Sequence, residues 1–326
     1  MSDRADITAE FSAGEQVDGL VTRTTGQWQD VQVDGTTVPS RVRGKFRLED
    51  QSTTHPVAVG DRVTIRVGED GTGLIMDIHE RTNRLSRRAA GRRAGQEHII
   101  AANIDQAWGV QSVRKPRINP GFIDRFLVMA EVHHIPAGLI INKMDLARPG
   151  DRDDIEELKQ LYEDLGYPVI LTSATEERGI DALRTALKDK INVVTGPSGV
   201  GKSTLLNALE PGLELETGAV SEKTRKGTHT TTYAALHPLS AGGYVVDTPG
   251  IREFGILDLQ PDELAFFFVE FLDYLNACKF DDCTHDHEPG CAVKAAVEEG
   301  EIHELRYESY LNILESLRSG AEEFSR

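Results

Sequence analysis

Apolar and polar positions first alternate in short runs. Between Val17 and about His79, the segments Val17-Asp18-Gly19-Leu20-Val21, Val38 to Phe46, Arg62-Val63-Thr64-Ile65-Arg66-Val67 and Gly73 to Ile78 are separated by Gly, Asp and Pro. Period-two alternation between such breakers predicts strands of a small β-barrel over residues 17–80, OB-like in the expected form. An SH3-like barrel has the same periodicity, so the pattern alone leaves both open. Arg81 to Gln96 has no apolar periodicity and is rich in Arg, Gly and Ala, which predicts a basic linker over residues 81–98. The pattern then changes to apolar strands alternating with helical periods. Ile99 to Ala102, Gln106 to Val113, Ile135 to Ile141, Val169 to Leu171, Ile191 to Val194 and Gly243 to Val246 read as strands. Helices are expected at Pro120 to His133, Asp151 to Leu165, Gly179 to Lys190 and from Thr204 onward. In the first of these, Phe122, Phe126, Val128, Met129 and Val132 fall on a core face. This alternation predicts an α/β domain with a largely parallel sheet over residues 99–256. Beyond it, Pro261 to Asn276, Ala292 to Glu299 and Ile302 to Leu317 predict a mostly helical domain over residues 257–326.

Composition changes this picture little. With 326 residues, 39% hydrophobic and 27% charged, the chain has the makeup of a globular protein of two or three domains. It contains no run of about eighteen apolar residues, so no membrane span is expected. Met1 to Gln16 is polar and acidic, without the basic and apolar regions of a signal peptide, and reads as a mobile tail in a cytoplasmic protein. The net charge of -17 argues against a nucleic-acid partner until its distribution is considered. Arg41, Arg43, Lys45 and Arg47 alternate, and Arg81, Arg84, Arg87, Arg88, Arg92 and Arg93 cluster with no carboxylate among them. The second cluster is a candidate phosphate-contacting surface.

The chemistry centres on Gly196-Pro197-Ser198-Gly199-Val200-Gly201-Lys202-Ser203, a G-x-x-x-x-G-K-S between a predicted strand and a helix that continues through Thr204. Its glycines let backbone N–H groups turn toward phosphate oxygens, Lys202 is placed for the terminal phosphates, and Ser203 for magnesium. At the end of an earlier strand, Asn142-Lys143-Met144-Asp145 spells N-K-x-D. A carboxylate at Asp145 can accept from guanine N1–H and the exocyclic amine together, a pairing adenine does not offer. Ser173 and Ala174 follow the strand Val169 to Leu171, where a backbone N–H can meet guanine O6. Gly227-Thr228-His229-Thr230-Thr231-Thr232 lies in a polar segment after the P-loop helix, where a nucleotide-sensing loop belongs. Thr230 and Thr231 are the magnesium candidates there. Asp247-Thr248-Pro249-Gly250 is a D-x-x-G, placing Asp247 near the magnesium shell and the Gly250 N–H at the γ-phosphate. The next residue is Ile251, which cannot orient water. A P-loop ATPase or kinase is the rival reading of the P-loop alone.

These motifs occur in the order N-K-x-D, Ser-Ala, P-loop, threonine loop, D-x-x-G, so the domain is circularly permuted relative to the usual GTPase plan. Downstream, Cys278, Cys283 and Cys291 are the chain's three cysteines, with His285 and His287 between the last two. Three thiolates and one imidazole make a closed, structural zinc site. Together the permuted order, the barrel, the His-Thr-Thr-Thr loop and C-x4-C-x-H-x5-C resemble the ribosome small-subunit-dependent GTPase A family. The resemblance implies a GTPase that binds the 30S subunit late in assembly, is stimulated by it, and leaves after hydrolysis. It implies a barrel and zinc domain that touch 16S rRNA, His285 as the fourth zinc ligand, and His229, with Lys202, as the catalytic candidates. A monomer with magnesium and one zinc is the expected form. The alternative is a GTP-gated rRNA-binding module in which hydrolysis is incidental.

Overall fold

A computed structural model describes residues 11–44, 55–88, 97–213, 234–247 and 259–319. The fold separates into two compact units. The described residues of the first lie within Met1–Gln106, Leu187–Val193 and Lys223–Ile251; those of the second lie within Ala107–Ala186, Val194–Glu222 and Arg252–Arg326.

In the first unit, five strands close a barrel: β1 (Gln16–Thr25), β2 (Trp28–Val33), β3 (Thr36–Val42), β4 (Arg62–Val67) and β5 (Gly73–Ile78). Successive pairings run β1–β2–β3–β5–β4 and return to β1, with β3–β5 the one parallel pair among them. That order is the OB arrangement, a five-stranded Greek-key barrel, and it decides between the two forms the periodicity left open. Alternate residues point inward, so Val21, Val31, Val38, Val63, Ile65 and Ile75 fill the barrel and are essentially inaccessible to solvent. The strand β2 was not among the expected segments. Its inward residues Gln29, Val31 and Val33 alternate cleanly, but Thr25 to Gln27 and Asp34-Gly35 set it between two tight turns.

Part of the expected linker is a hairpin. Strands β6 (Arg84–Arg88) and β7 (Glu97–Ala102) pair antiparallel, with a register shift between Leu85 and Ser86. Leu85, Ile99 and Ala101 supply its buried side, too few positions for an apolar period to stand out in Arg-rich sequence. Arg81, expected in a phosphate-contacting cluster, is turned inward: its guanidinium makes two 2.7 Å bonds to the fully buried Asp61 carboxylate and a third to the Pro56 carbonyl. Its charge serves the fold. The unit also holds β12 (Ala235–Pro238) antiparallel to β13 (Tyr244–Asp247), and β13 parallel to the start of β11 (Ile191–Thr195).

The second unit carries a parallel sheet of β8 (Gln106–Ser112), β9 (Ala137–Asn142) and β10 (Val169–Leu171). Helices α1 (Pro120–Val132), α2 (Pro149–Asp164), α3 (Ile180–Leu187) and α4 (Lys202–Leu209) follow the predicted alternation. Asn119 caps α1 by accepting from the Phe122 N–H, with Pro120 at the first helical position. Near the C-terminus, α5 (Ala292–Glu299) and α6 (Glu304–Ser319) match expectation closely. Pro261 to Asn276 does not. It forms 3-10 turns at Leu264–Phe267, Val269–Phe271 and Leu275–Ala277, interrupted by an extended Phe268. Leu264, Phe268 and Phe271 are all buried, in one cluster with Tyr310, Ile313 and Leu314, while Phe266 stays 60% exposed. Tertiary burial of scattered aromatics overrides the helical period there.

This cluster is stapled to α1 by ions. The Arg306 guanidinium, 1% exposed, donates to Asp124 at 2.6 Å and to both Glu270 oxygens at 2.6 and 3.0 Å, and the Tyr162 hydroxyl donates to Asp124 at 2.7 Å. One side chain of α6 thereby joins α1, α2 and the aromatic turns. Removing one partner of such a buried set leaves unpaired charge in a low-dielectric interior. Arg306→Ala is therefore expected to cost about 3–5 kcal/mol, read as a lowered urea midpoint with an unchanged slope.

Candidate nucleotide and metal sites

The end of β9 places Asn142 in the interior, 1% exposed. Its amide makes three hydrogen bonds. Oδ1 accepts from the Thr172 hydroxyl at 3.1 Å and the Ala174 N–H at 3.3 Å, while Nδ2 donates to the Val200 carbonyl at 3.1 Å. Three chain segments far apart in sequence meet at this one side chain. Lys143 then takes a left-handed conformation, φ 61°, and its ammonium donates to the carbonyls of Lys115 and Gly199. Asp145, two residues on, accepts from the Ser173 hydroxyl at 2.6 Å, and the Met144 N–H donates to the Thr172 carbonyl. N-K-x-D, Ser-Ala and P-loop thus line one locality in a single unit. Thr172 and the Lys115 carbonyl were not among the expected site groups. Thr172 immediately precedes Ser173 and was legible by position; nothing in the sequence marks Lys115.

The P-loop follows β11 and leads into α4. A Cβ at Gly196 would lie 2.2 Å from the Val110 carbonyl oxygen, and one at Gly201, where φ is 94°, 2.7 Å from Asn142 Nδ2. Glycine is required at both positions for the loop to lie this close to β8 and Asn142. Lys202 folds over the loop, donating to the Gly196 and Pro197 carbonyls at 2.6 and 2.8 Å. Ser198 and Gly199 are exposed, Val200 is buried as a hydrophobic anchor, and Ser203 and Thr204 sit half-buried in the first turn of α4. The α4 N–H groups beside that turn form an anion-binding end. Asp247 ends β13, and His229, Thr230, Thr231 and Gly250 lie outside the described residues.

The second constellation is metallic in its donor set. Among the described residues, Cys278, Cys283, His285 and Cys291 bring their ligand atoms within 4.8 Å of one another. Cys278 Sγ is 4.0 Å from Cys291 Sγ and 3.5 Å from His285 Nδ1, which is 3.4 Å from Cys291 Sγ. A tetrahedral zinc with Zn–S of about 2.3 Å and Zn–N of about 2.0 Å implies S–S edges near ~3.8 Å and S–N edges near ~3.5 Å. The residues fit the ion. His285 is buried with φ 57°, and its carbonyl accepts from the Tyr307 hydroxyl at 2.8 Å, whereas the His287 side chain is 77% exposed. Backbone N–H groups of Ala292 and Lys294, at the start of α5, donate to the sulfurs of Cys278 and Cys291. Such donors lower the charge a thiolate must carry. Glu288 braces the loop, accepting from the Thr284 hydroxyl and N–H and from the Asp286 N–H.

Comparison with known proteins places this geometry. The RsgA GTPase family model matches residues 78–257, and the RsgA N-terminal domain model matches residues 18–75. The chain belongs to the RsgA GTPase family. A relative from Bacteroides fragilis, named small ribosomal subunit biogenesis GTPase RsgA, is 44% identical over 93% of this chain and 97% of its own length. Another of that name, from Flavobacterium johnsoniae, is 44% identical over 91% of this chain and 92% of its own. Among solved structures, YjeQ from Thermotoga maritima superposes with a TM-score of 0.78 at 38% identity, covering 93% of this chain and 99% of that one. YloQ, described as a circularly permuted GTPase, gives 0.74 at 30% identity, covering 96% and 99%. This member of the RsgA GTPases is accordingly a GTP hydrolase with the permuted fold, and its cysteine and histidine cluster fits one structural zinc ion.

Burial pushes the Cys283 thiol up to about 12 and raises Cys291, so the metal-free thiols hold their protons and a cation must displace them. Burial also lowers His285 below its ordinary value, which favours the neutral imidazole a metal needs. Elemental analysis is expected to find one zinc per chain, lost in His285→Ala and kept in His287→Ala. Zinc affinity should fall by at least about tenfold per unit as pH is lowered, measured by competition with a chromogenic chelator.

Proposed function

We propose that this chain binds the 30S ribosomal subunit through its 16S rRNA late in assembly, hydrolyses GTP when the subunit stimulates it, and then departs as a cytoplasmic monomer. Its relatives are named for small ribosomal subunit biogenesis, and in the permuted chain order the D-x-x-G segment is followed by the C-terminal region that carries the cysteine and histidine cluster. The observation that carries the guanine half of this reading is the Asn142 amide, which holds the N-K-x-D, Ser-Ala and P-loop segments at one place.

In this reading Asp145 accepts from guanine N1–H and N2, the Ser173 and Ala174 backbone meets O6, and Lys143 covers the ring face. Asn142 and Met144 keep that loop in shape. The P-loop from Gly196 to Thr204 surrounds the phosphates with its backbone N–H groups, Pro197 excepted, and Lys202 exchanges its carbonyl partners for the β- and γ-phosphates. Magnesium, when bound, neutralises phosphate charge, and Ser203, Asp247 and one of Thr230 or Thr231 are the residues that would hold it. The Gly250 N–H reports the γ-phosphate. His229 orients the attacking water once rRNA orders its loop, a role Ile251 cannot fill. Cys278, Cys283, His285 and Cys291 hold the zinc that rigidifies the rRNA-contacting end.

GTP turnover by the full chain with and without purified small subunits tests this reading. Stimulation of at least about a hundredfold is expected, and His229→Ala should lose most of it in single-turnover assays while binding the subunit normally. GDP should be displaced by GTP and not by ATP. Absence of stimulation, or displacement by ATP, would contradict the proposal.

A further inference from the structure

A groove of about 390 Å³ opens on the second unit, lined by none of the residues assigned to nucleotide or zinc. Its walls come from the loop that follows β8, from α2, and from the start of α6. Ile118, Pro120, Ile155, Leu158, Leu161 and Leu305 are apolar residues of its lining. Leu305, at the start of α6, is 40% exposed.

The rim is acidic. Asp154 and Glu157 line the groove and are exposed, and α2 as a whole carries seven carboxylates against Arg152 and Lys159. Asp151, also on the wall, is already committed to Arg114 through two 2.7 Å bonds, and Arg117 and His303 complete the edge. A volume of this size takes one or two large side chains, and its charge selects what carries them. Nucleic acid would set phosphates against carboxylates. The chain's own ends do not match either: residues 1–10 have Asp3, Asp6 and Glu10 against Arg4, and residues 320–326 have Glu322 and Glu323 against Arg326.

We propose that this groove docks a basic peptide segment of a partner protein, seated by apolar side chains among Leu158, Leu161 and Leu305 and held by Lys or Arg on Asp154 and Glu157. The groove abuts the guanine locality. Arg114 and Lys115 precede its Arg117–Ile118 wall in one loop, where Arg114 grips Asp151 and the Lys115 carbonyl receives the Lys143 ammonium. An occupant therefore presses on the loop that supports N-K-x-D.

Fluorescence anisotropy with the full chain tests the proposal, using a labelled peptide that alternates Lys or Arg with Leu or Phe. Asp154→Lys/Glu157→Lys and, separately, Leu305→Ser should each weaken binding about tenfold, with unfolding midpoint and basal GTP turnover unchanged. Replacing the peptide's apolar residues by Ser should cost a similar factor, and an acidic counterpart should not bind. Glu298→Lys/Glu299→Lys, on the exposed face of α5, should leave affinity unchanged. Equal loss from that remote variant would mean diffuse charge attraction and overturn the proposal. So would indifference to both groove variants.

Discussion

A buried side-chain amide that makes three hydrogen bonds to two distant chain segments holds this molecule's functional half together. Asn142 has one acceptor turned to Thr172 and Ala174 and one donor turned to Val200, in an interior where an unmet polar group would be costly. The N-K-x-D loop, the Ser-Ala turn and the P-loop therefore cannot drift apart independently. Lys143, bonded to Gly199, adds a second tie between the first and the third. Chain order has no part in this. Once β8, β9 and β10 are parallel neighbours, their carboxyl ends gather the loops whichever segment comes first, which is why a permuted chain can keep the arrangement.

What permutation changes is which segment follows D-x-x-G in the chain. After D-x-x-G the chain enters aromatic 3-10 turns, the metal cluster and two helices, and this region is locked to α1 and α2 by Arg306, Asp124, Glu270 and Tyr162. The lock is ionic and buried, with Asp124 Oδ2 buried without a hydrogen-bond partner among the described residues. Such a set is intolerant of half-replacement, so it gives the region a defined seat more than it gives net stability. The metal cluster then fixes a segment too short and polar to hold its own core.

Much of this was legible in the sequence, and the exceptions share a cause. The P-loop, N-K-x-D and the cysteine spacing are local patterns whose chemistry dictates residue type, so they stand out without a fold. Helices α1, α2, α5 and α6 declared themselves through the pattern of apolar and polar positions. Missed features depend on partners distant in the chain. Strand β2 has a clear alternation only once its inward side is known, and the β6–β7 hairpin hides its few buried residues among arginines. Arg81 looked like surface charge until Asp61 was found beneath it. Phe266 to Phe268 invited a helix that tertiary packing broke into turns. Spacing alone could not choose between His285 and His287, whereas burial and the direction of the ring decide it at once.

The central claim is that Asp145, set beside Ser173, reads guanine in the same pocket that grips phosphate. Its most direct measurement is the nucleotide preference of Asp145→Asn by equilibrium titration with fluorescent GDP and xanthosine diphosphate. An asparagine keeps one acceptor for N1–H and offers a donor to the xanthine O2, so GDP affinity should fall and xanthosine diphosphate affinity rise, each by roughly a hundredfold. Unaltered preference for GDP in a folded Asp145→Asn protein would show that the base is read elsewhere.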